Sequence, residues 1–468
     1  MFDSLSQPLF WPYAFYIALV IVTVLHMLYQ RRSPQNLMAW LLTLLLLPFI
    51  GVLLYIILGS RKFLSQRKRA PITMRAISAT LSENELCGQL DRLLQSNHIA
   101  STTPDNQITL HEESCDVFEQ FMTEINQAKT SIHLQTYIFQ LDETGKTILN
   151  ALITKAQQGV EVRLLMDAIG SFSLYLNRKS LAPLIEAGGQ YAFFQPLFKS
   201  LVNSQINLRN HRKIYLFDQS TLLTGGMNLS NEYLGSPKNT PKEGRWKDLM
   251  LKAKGPVSFH YQNVFNADWF YTTKEKLSPP LMPQLNLTET QGIIQTIPSG
   301  PDIRTDSLFE SLLYSIHTAK KSIQIVTPYF IPDSTIMNAL LMAIKRGVSV
   351  SLITPKNSDH LLFDIGRSSY IRELTEEGGE VFFDQGTMLH AKLILIDRVQ
   401  LILGSANLDY RSLFINHEIV NVIYSKALIN QMSYWLNNLQ KHSLIFQPTD
   451  KKLHRLFENL TRIFTPIL

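Results

Sequence analysis

Cysteine is scarce in this sequence, and charge is missing from one end of it. Only Cys87 and Cys115 occur in 468 residues. Two cysteines cannot build a disulfide framework or a cysteine-based zinc cluster, so both are expected as free thiols. Residues 1–60 carry just three charges, Asp3, Arg31 and Arg32, while the other 408 residues hold all the rest at a net +5. That split excludes a soluble chain of uniform character. There is no Gly-x4-Gly-Lys-Ser/Thr, no His-Glu-x-x-His and no Gly-x-Gly-x-x-Gly, which removes three common nucleotide- and metal-binding fingerprints. No acidic cluster with metal-ligand spacing is present, and no metal site is expected. No concentrated basic stripe with interleaved aromatics is present either, so nucleic acid is not expected as a partner despite the net charge of +6. With 45% hydrophobic and 18% charged residues the chain can bury large cores. Its length suits two to four structural units of about 100–200 residues each.

Two long apolar runs fill the charge-poor end, at residues 10–30 and 33–60, separated by Arg31 and Arg32. Each exceeds the about 20 residues that cross a bilayer as a helix. Together they read as a transmembrane helical hairpin over residues 1–60 with both ends on one side. Trp11, Tyr13, Tyr16, Tyr29 and Trp40 fall near the expected interfaces. Pro48 and Gly51 lie inside the second run, where a membrane helix tolerates them. A cleaved signal peptide fits less well, because residues 1–7 contain no Lys or Arg and two long runs follow one another. Arg61, Lys62, Arg67, Lys68 and Arg69 follow the second run, against two arginines between the runs. The positive-inside rule then puts the body of the chain in the cytoplasm. The same basic stretch suits anionic headgroups, at about 1 kcal/mol per charge near the surface.

The rest of the chain is duplicated. His211, Lys213 and Asp218, followed by Gly225 and Asn228, recur as His390, Lys392 and Asp397, followed by Gly404 and Asn407, every position offset by 179. Such a separation is far longer than a solenoid repeat and indicates two similar domains in tandem. Each copy orders its elements alike: an apolar strand at 131–139 or 322–330, a helix at 146–157 or 334–345 closed by Gly159 or Gly347, and a buried strand at 160–166 or 348–353. Strands alternating with helices predict an α/β fold. A basic linker and lead-in is expected over 61–105, a first domain over 106–285 and a second over 286–468, with the proline-rich 279–286 at their junction. The last forty residues read as helical.

On a strand, residues i and i+2 share a face. His211 and Lys213 therefore point together, as do His390 and Lys392, and the Asn after each tight turn can return beside them. An imidazole is a nucleophile when neutral and a general acid when protonated; a lysine and an amide hold non-bridging phosphate oxygens. Two copies supply one histidine for each role, which suits a phosphodiester. Asp218 and Asp397 complete each motif and stand with the catalytic set, although their opposite strand face favours a role in orienting loops. Asp248 and Glu418 are the candidate carboxylates that orient the histidines. Both histidines start near pKa about 6.5, so a bell-shaped pH–rate profile is expected.

These motifs resemble the phospholipase D superfamily and, within it, the membrane-anchored bacterial cardiolipin synthases. The resemblance spans nearly the whole chain. It rests on the paired His-x-Lys-x4-Asp motifs, on Ala39-Trp40-Leu41-Leu42 and Pro48-Phe49-Ile50-Gly51, on Thr327-Pro328-Tyr329-Phe330-Ile331-Pro332-Asp333, and on Asn407-Leu408-Asp409-Tyr410-Arg411-Ser412. Gln219 and Arg398 stand where the family often has Gly or Asp. The resemblance implies two α/β/α sandwich domains that pack face to face around one active site. It implies a phosphohistidine on one histidine, by analogy His211, with His390 as acid and base, although the sequence leaves that assignment open. Lys213, Lys392, Asn228 and Asn407 would hold the phosphate, with Ser405 as a further donor, and no cofactor or metal is implied. The implied reaction moves a phosphatidyl group between two phosphatidylglycerol molecules at the bacterial inner membrane, with anionic phospholipids and the bilayer as partners. Hydrolysis, another lipid donor such as phosphatidylethanolamine, or nuclease activity are the readings that remain beside it.

Overall fold

The structure, a computed structural model, describes residues 7–29, 34–59, 72, 85–202, 205–236, 238, 244–280 and 292–448, with 455, 456, 458, 459 and 462. Helix α1 (Gln7–Tyr29) is followed by α2 (Pro34–Leu46) and α3 (Ile50–Leu58). Among the described residues one helix, over Trp11–Tyr29, is long and apolar enough to cross a membrane. The second apolar run differs from the expected single crossing. It breaks at Pro48, which has no N–H to continue the ladder, and Phe49 takes a left-handed φ of 64°. The expected basic linker at 61–69, the junction at 281–286 and the Arg31–Arg32 turn lie outside the described residues.

The first half forms a seven-stranded sheet from β1 (Gln107–His111), β2 (Ser131–Thr136), β3 (Glu161–Asp167), β4 (Gln190–Phe194), β5 (Ile214–Phe217), β6 (Thr221–Gly225) and β7 (Met250–Lys254), in the order β1-β7-β6-β5-β2-β3-β4. The second half adds β8 (Ile294–Ser299), β9 (Ser322–Val326), a short β10 (Phe330–Ile331), β11 (Ser349–Pro355), β12 (Glu380–Asp384), β13 (Leu393–Ile396), β14 (Gln400–Gly404), β15 (Leu408–Asp409), β16 (Glu418–Ile423) and β17 (Ser443–Ile445). Its main sheet runs β17-β12-β11-β9-β13-β14-β16-β8. Read from the other edge, the order of the first sheet is reproduced strand for strand, with β17 as the extra edge. The duplication seen in the motifs therefore extends to topology. It extends to helix ends as well. Asp142 caps Glu143–Gln157 by accepting from Gly145 N at 2.9 Å, and Asp333 caps Ser334–Lys345 by accepting from Thr335 N at 2.8 Å. Gly159 and Gly347 close these helices at φ 87° and 86°, where only glycine is unstrained.

Two departures concern the ends. The lead-in helix Glu85–Ser96 packs on the second half, not on the domain that follows it in sequence. Gln295 donates to Asp91 at 2.7 Å, and Thr103 and Ile294 exchange backbone hydrogen bonds. Of the final forty residues, 429–441 end the helix Lys426–Lys441 and 455, 456, 458, 459 and 462 are helical, but between them the chain turns into β17, which pairs antiparallel with β12. One apolar core runs through both halves, joining Tyr261, Phe265 and Trp269 of the helix Val257–Thr273 to Ile297, Ile423 and Leu403.

Candidate active site at the junction of the two halves

Each motif lies just ahead of a strand that runs antiparallel to its neighbour. β5 pairs antiparallel with β2, and β13 with β9. The residues before β5 and β13 therefore emerge at the carboxyl ends of β2, β3 and β4 or of β9, β11 and β12. The two edges meet. His211 N donates to His417 O at 2.8 Å and His417 N to Arg209 O at 2.9 Å. In the mirrored contact, Lys247 N donates to Met388 O and His390 N to Lys247 O, both at 2.8 Å.

This double zipper crosses the pairing of histidines and carboxylates. Asp248 and Glu418, the expected orienters, each serve the histidine of the opposite half. His211 Nδ1 lies 3.0 Å from Glu418 Oε2, and His390 Nδ1 lies 2.6 Å from Asp248 Oδ2. Both carboxylates are fully buried. Lys213 Nζ donates to His211 O at 3.0 Å, while Lys392 Nζ lies within 3.0 Å of both ring nitrogens of His390. His211, Lys213, His390 and Lys392 thus form one cluster built from both halves.

Burial dominates the electrostatics. It pulls the Lys213 ammonium down to about 7 and that of Lys392 to about 8, against the pull of Glu418 and Asp248. It lowers both imidazoles, with the two lysines adding to burial at each; His390 falls further than His211, because the charge and hydrogen bond of Glu418 hold His211 up. Burial pushes the Asp248 carboxyl up to about 6. Burial also opposes ionisation of Glu418, but His211, Lys213 and Ser405 outweigh it and leave that carboxyl below its usual range.

The remaining expected residues fall into two groups. Asn407 lines a small cavity together with Lys392, its carboxamide oxygen buried and without a hydrogen-bond partner among the described residues. Asn228 is buried and engaged: its Oδ1 accepts from Ile138 N at 3.2 Å, and Tyr233 is bonded to it as well. Ser405 is spent on a carboxylate, donating to Glu418 Oε2 at 2.5 Å while its own oxygen accepts from Ile419 N at 3.0 Å. Asp218 and Asp397 do not reach the cluster, which corrects their place in the catalytic set. Each lies past the far end of its strand, and each carboxylate accepts backbone N–H groups of a loop. Asp218 accepts from Lys129, Thr130 and Ser131, and Asp397 from Lys320, Lys321 and Ser322.

Several site residues were not anticipated. Tyr137 stands edge-on to His211 with ring centroids 5.1 Å apart, and Tyr233 and Trp246 flank His390 at 5.1 and 5.2 Å. Tyr137 had a usable signal, since it aligns with Tyr329 at the end of the repeated strand. Arg212, between the motif residues, is wholly buried. Its guanidinium contacts Asp268 at 3.0 Å in the first half and Asp302 at 2.9 Å in the second, and its Nε donates to Glu418 O at 3.1 Å. Asp268, Asp302 and His417 have ligand-like spacing, but Arg212 already supplies the positive charge they surround. Exposed apolar side chains rim the same edge: Phe172 and Leu176 after β3, Phe198 after β4, and Leu361 and Leu362 after β11.

Comparison with known proteins adds to this geometry. Residues 121–269 and 312–440 match the family described as "Cardiolipin synthase, PLD-like domain", and residues 17–60 match "Phospholipase_D-nuclease N-terminal". Cardiolipin synthase 1 of Bacillus cereus is 33% identical over 465 residues, covering 94% of this chain and 90% of that protein. The major cardiolipin synthase ClsA of Bacillus subtilis is 32% identical over 483 residues, covering 97% and 98%. Among solved structures, the phosphatidylserine synthase of Haemophilus influenzae shares the fold, with a TM-score of 0.60 at 16% identity over 81% of this chain.

Proposed function

The chain belongs to the cardiolipin synthase family of PLD-like proteins, and on that premise we propose that it joins two phosphatidylglycerol molecules into cardiolipin and glycerol through a covalent phosphohistidine. The reading rests above all on the crossed pairing, in which each histidine is held by a buried carboxylate of the opposite half beside a lysine.

Glu418 accepts the Nδ1 proton of His211 and leaves the Nε2 lone pair free to attack phosphorus. The bond from phosphorus to the glycerol headgroup oxygen breaks, and His390, whose charged form the bound phosphodiester anion favours so that it takes up a proton on binding, gives that oxygen a proton. The neutral His390 then takes the proton of a headgroup hydroxyl on a second phosphatidylglycerol. That oxygen attacks phosphorus, the P–N bond breaks and His211 is restored. Lys213, Lys392 and Asn407 hold the non-bridging oxygens; the ionised lysines neutralise their charge. An incoming phosphodiester anion favours the charged form of both lysines, so binding draws protons onto them. Ser405 acts on Glu418, and Asn228 holds the end of β2. Asp218 and Asp397 stay outside the chemistry.

The apolar rim and the apolar α1 support a catalytic edge that faces lipid, with the body on the cytoplasmic face of a bacterial inner membrane. The test is an assay of the full chain in phosphatidylglycerol vesicles that quantifies cardiolipin, glycerol and phosphatidic acid together. Equal cardiolipin and glycerol, abolished by His211→Ala, is the expected result. Phosphatidic acid as main product would make it a hydrolase, and no turnover of phosphatidylglycerol would send the search to other donors.

A further inference from the structure

We propose that α2 and α3 form a re-entrant pair that enters and leaves the bilayer on one side, so that the chain crosses the membrane once. This deepens the reading of a membrane-bound synthase and replaces the two-crossing hairpin that the apolar runs alone suggest.

The contacts order the three helices by depth. Were residues 34–58 one continuous helix, Trp40 and Tyr55 would stand about 22 Å apart. Their rings meet edge to face at 5.2 Å. A Cβ on Gly51 would lie 3.0 Å from the Leu44 Cα, so the two helix backbones touch where a side chain is missing. Helix α1 supplies the ruler. Tyr16 packs on Phe49 at 4.8 Å and its hydroxyl donates to Leu44 O, at the tip between α2 and α3. Ten residues further on, about 15 Å along the axis, His26 Nδ1 lies 2.7 Å from Tyr55 Oη. Helix α3 therefore runs back toward the end of α1 from which α2 set out.

A turn inside lipid must satisfy its own backbone. Leu47 N donates to Thr43 O at 3.0 Å, Ile50 N to Pro48 O at 2.7 Å and Gly51 N to Leu47 O at 2.6 Å, while Pro48 has no N–H to satisfy. The 13 residues of α2 reach about 20 Å into a hydrocarbon core about 30 Å thick. The 23 residues of α1, about 34 Å long, span it.

The charge pattern then falls into place. A two-crossing hairpin sets Arg31 and Arg32 on the opposite side from Arg61, Lys62, Arg67, Lys68 and Arg69, which divides the basic residues five to two between the faces. The re-entrant pair gathers all seven on one face, while residues 1–6, ahead of α1, carry Asp3 and no basic residue. That face is the cytoplasmic one and carries the catalytic body. Basic residues on that side of the membrane suit anionic headgroups, the chemistry of the proposed substrate.

The test uses the full-length chain with Cys87→Ser and Cys115→Ser, carrying one added cysteine at Ser4→Cys, Ser33→Cys or Ser65→Cys. Spheroplasts are treated with a membrane-impermeant maleimide before and after lysis, and cardiolipin formation is measured on the same membranes. The expected result is labelling of Ser4→Cys from outside, with Ser33→Cys and Ser65→Cys both labelled at least tenfold more after lysis. Labelling of Ser33→Cys from outside with Ser65→Cys protected overturns the proposal, as does labelling of both from outside. Retained cardiolipin formation certifies each variant as folded. A topology as expected in a cysteine-substituted chain that makes no cardiolipin would count against the reaction and leave the anchor standing.

Discussion

Ser405 shows how a small residue can be read for the wrong partner. Its hydroxyl was expected on the phosphate but is spent on Glu418. A hydrogen bond to a charged group contributes about 1.5–3 kcal/mol, so Ser405→Ala should lower kcat about 10–100-fold. It should leave KM for phosphatidylglycerol within about twofold, because the substrate contacts remain; a raised KM at constant kcat would return Ser405 to the phosphate. The buried ionisable groups set the pH range. Lys213 and Lys392 must be protonated to neutralise phosphate, and a lysine is protonated below its pKa. With these groups pulled down to about 7 and about 8, kcat/KM should fall as pH rises through 7–8 rather than near the ordinary lysine value of about 10.4. Asp248, pushed up to about 6, must ionise to orient His390, so the rising limb should lie near pH 6. A flat profile between pH 5 and 9 would remove the acid–base pairing.

At the scale of elements, the two hairpin turns that follow the motifs share one backbone conformation. Asp218 and Gln219 take φ 50° and 55° between β5 and β6, and Asp397 and Arg398 take 50° and 54° between β13 and β14. Asp tolerates the left-handed region and here uses its carboxylate to tie the turn to the start of β2 or β9. Gln and Arg have no such compensation. Gln219→Gly or Arg398→Gly should therefore stabilise the fold by up to about 1 kcal/mol, read as a higher temperature of thermal inactivation with kcat unchanged. The duplicated strands and the helices capped by Asp142 and Asp333 were legible because local pattern dictates them. The break in the second apolar run was not. Pro48 and Gly51 are tolerated in membrane helices, and only the contacts of Gly51 with Leu44 and of Tyr55 with Trp40 and His26 distinguish a fold-back from a kink.

For the whole molecule, Arg212 is the rivet between halves. Removing one partner of a buried ionic network costs about 3–5 kcal/mol, because the remaining charges stay buried without compensation. Arg212→Met should accordingly lower stability by about that amount and abolish cardiolipin formation with every residue of the His–Lys cluster intact. Adding Asp302→Asn to Arg212→Met should recover part of the stability, since it removes one of the stranded carboxylates. Thermal unfolding of the two variants side by side checks this; an undiminished loss in the double variant would mean that Arg212 acts through packing alone.

By itself the sequence determined that there are two α/β halves, that each offers a His-x-Lys pair, and that an apolar segment precedes them; the pairs lie just ahead of β5 and β13 and not on the strands that the spacing suggested. These follow from periodicity, duplication and composition, which are local properties of a chain. Tertiary structure alone decided that Glu418 serves His211 and Asp248 serves His390, that Arg212 bridges Asp268 and Asp302, that the lead-in helix docks on the second half, and that α3 doubles back along α2. Each of these joins residues far apart in the chain, such as the 207 positions between His211 and Glu418. Such pairings are set by which surfaces bury each other when the two halves close and by where buried charges find partners, and no spacing within either copy encodes that.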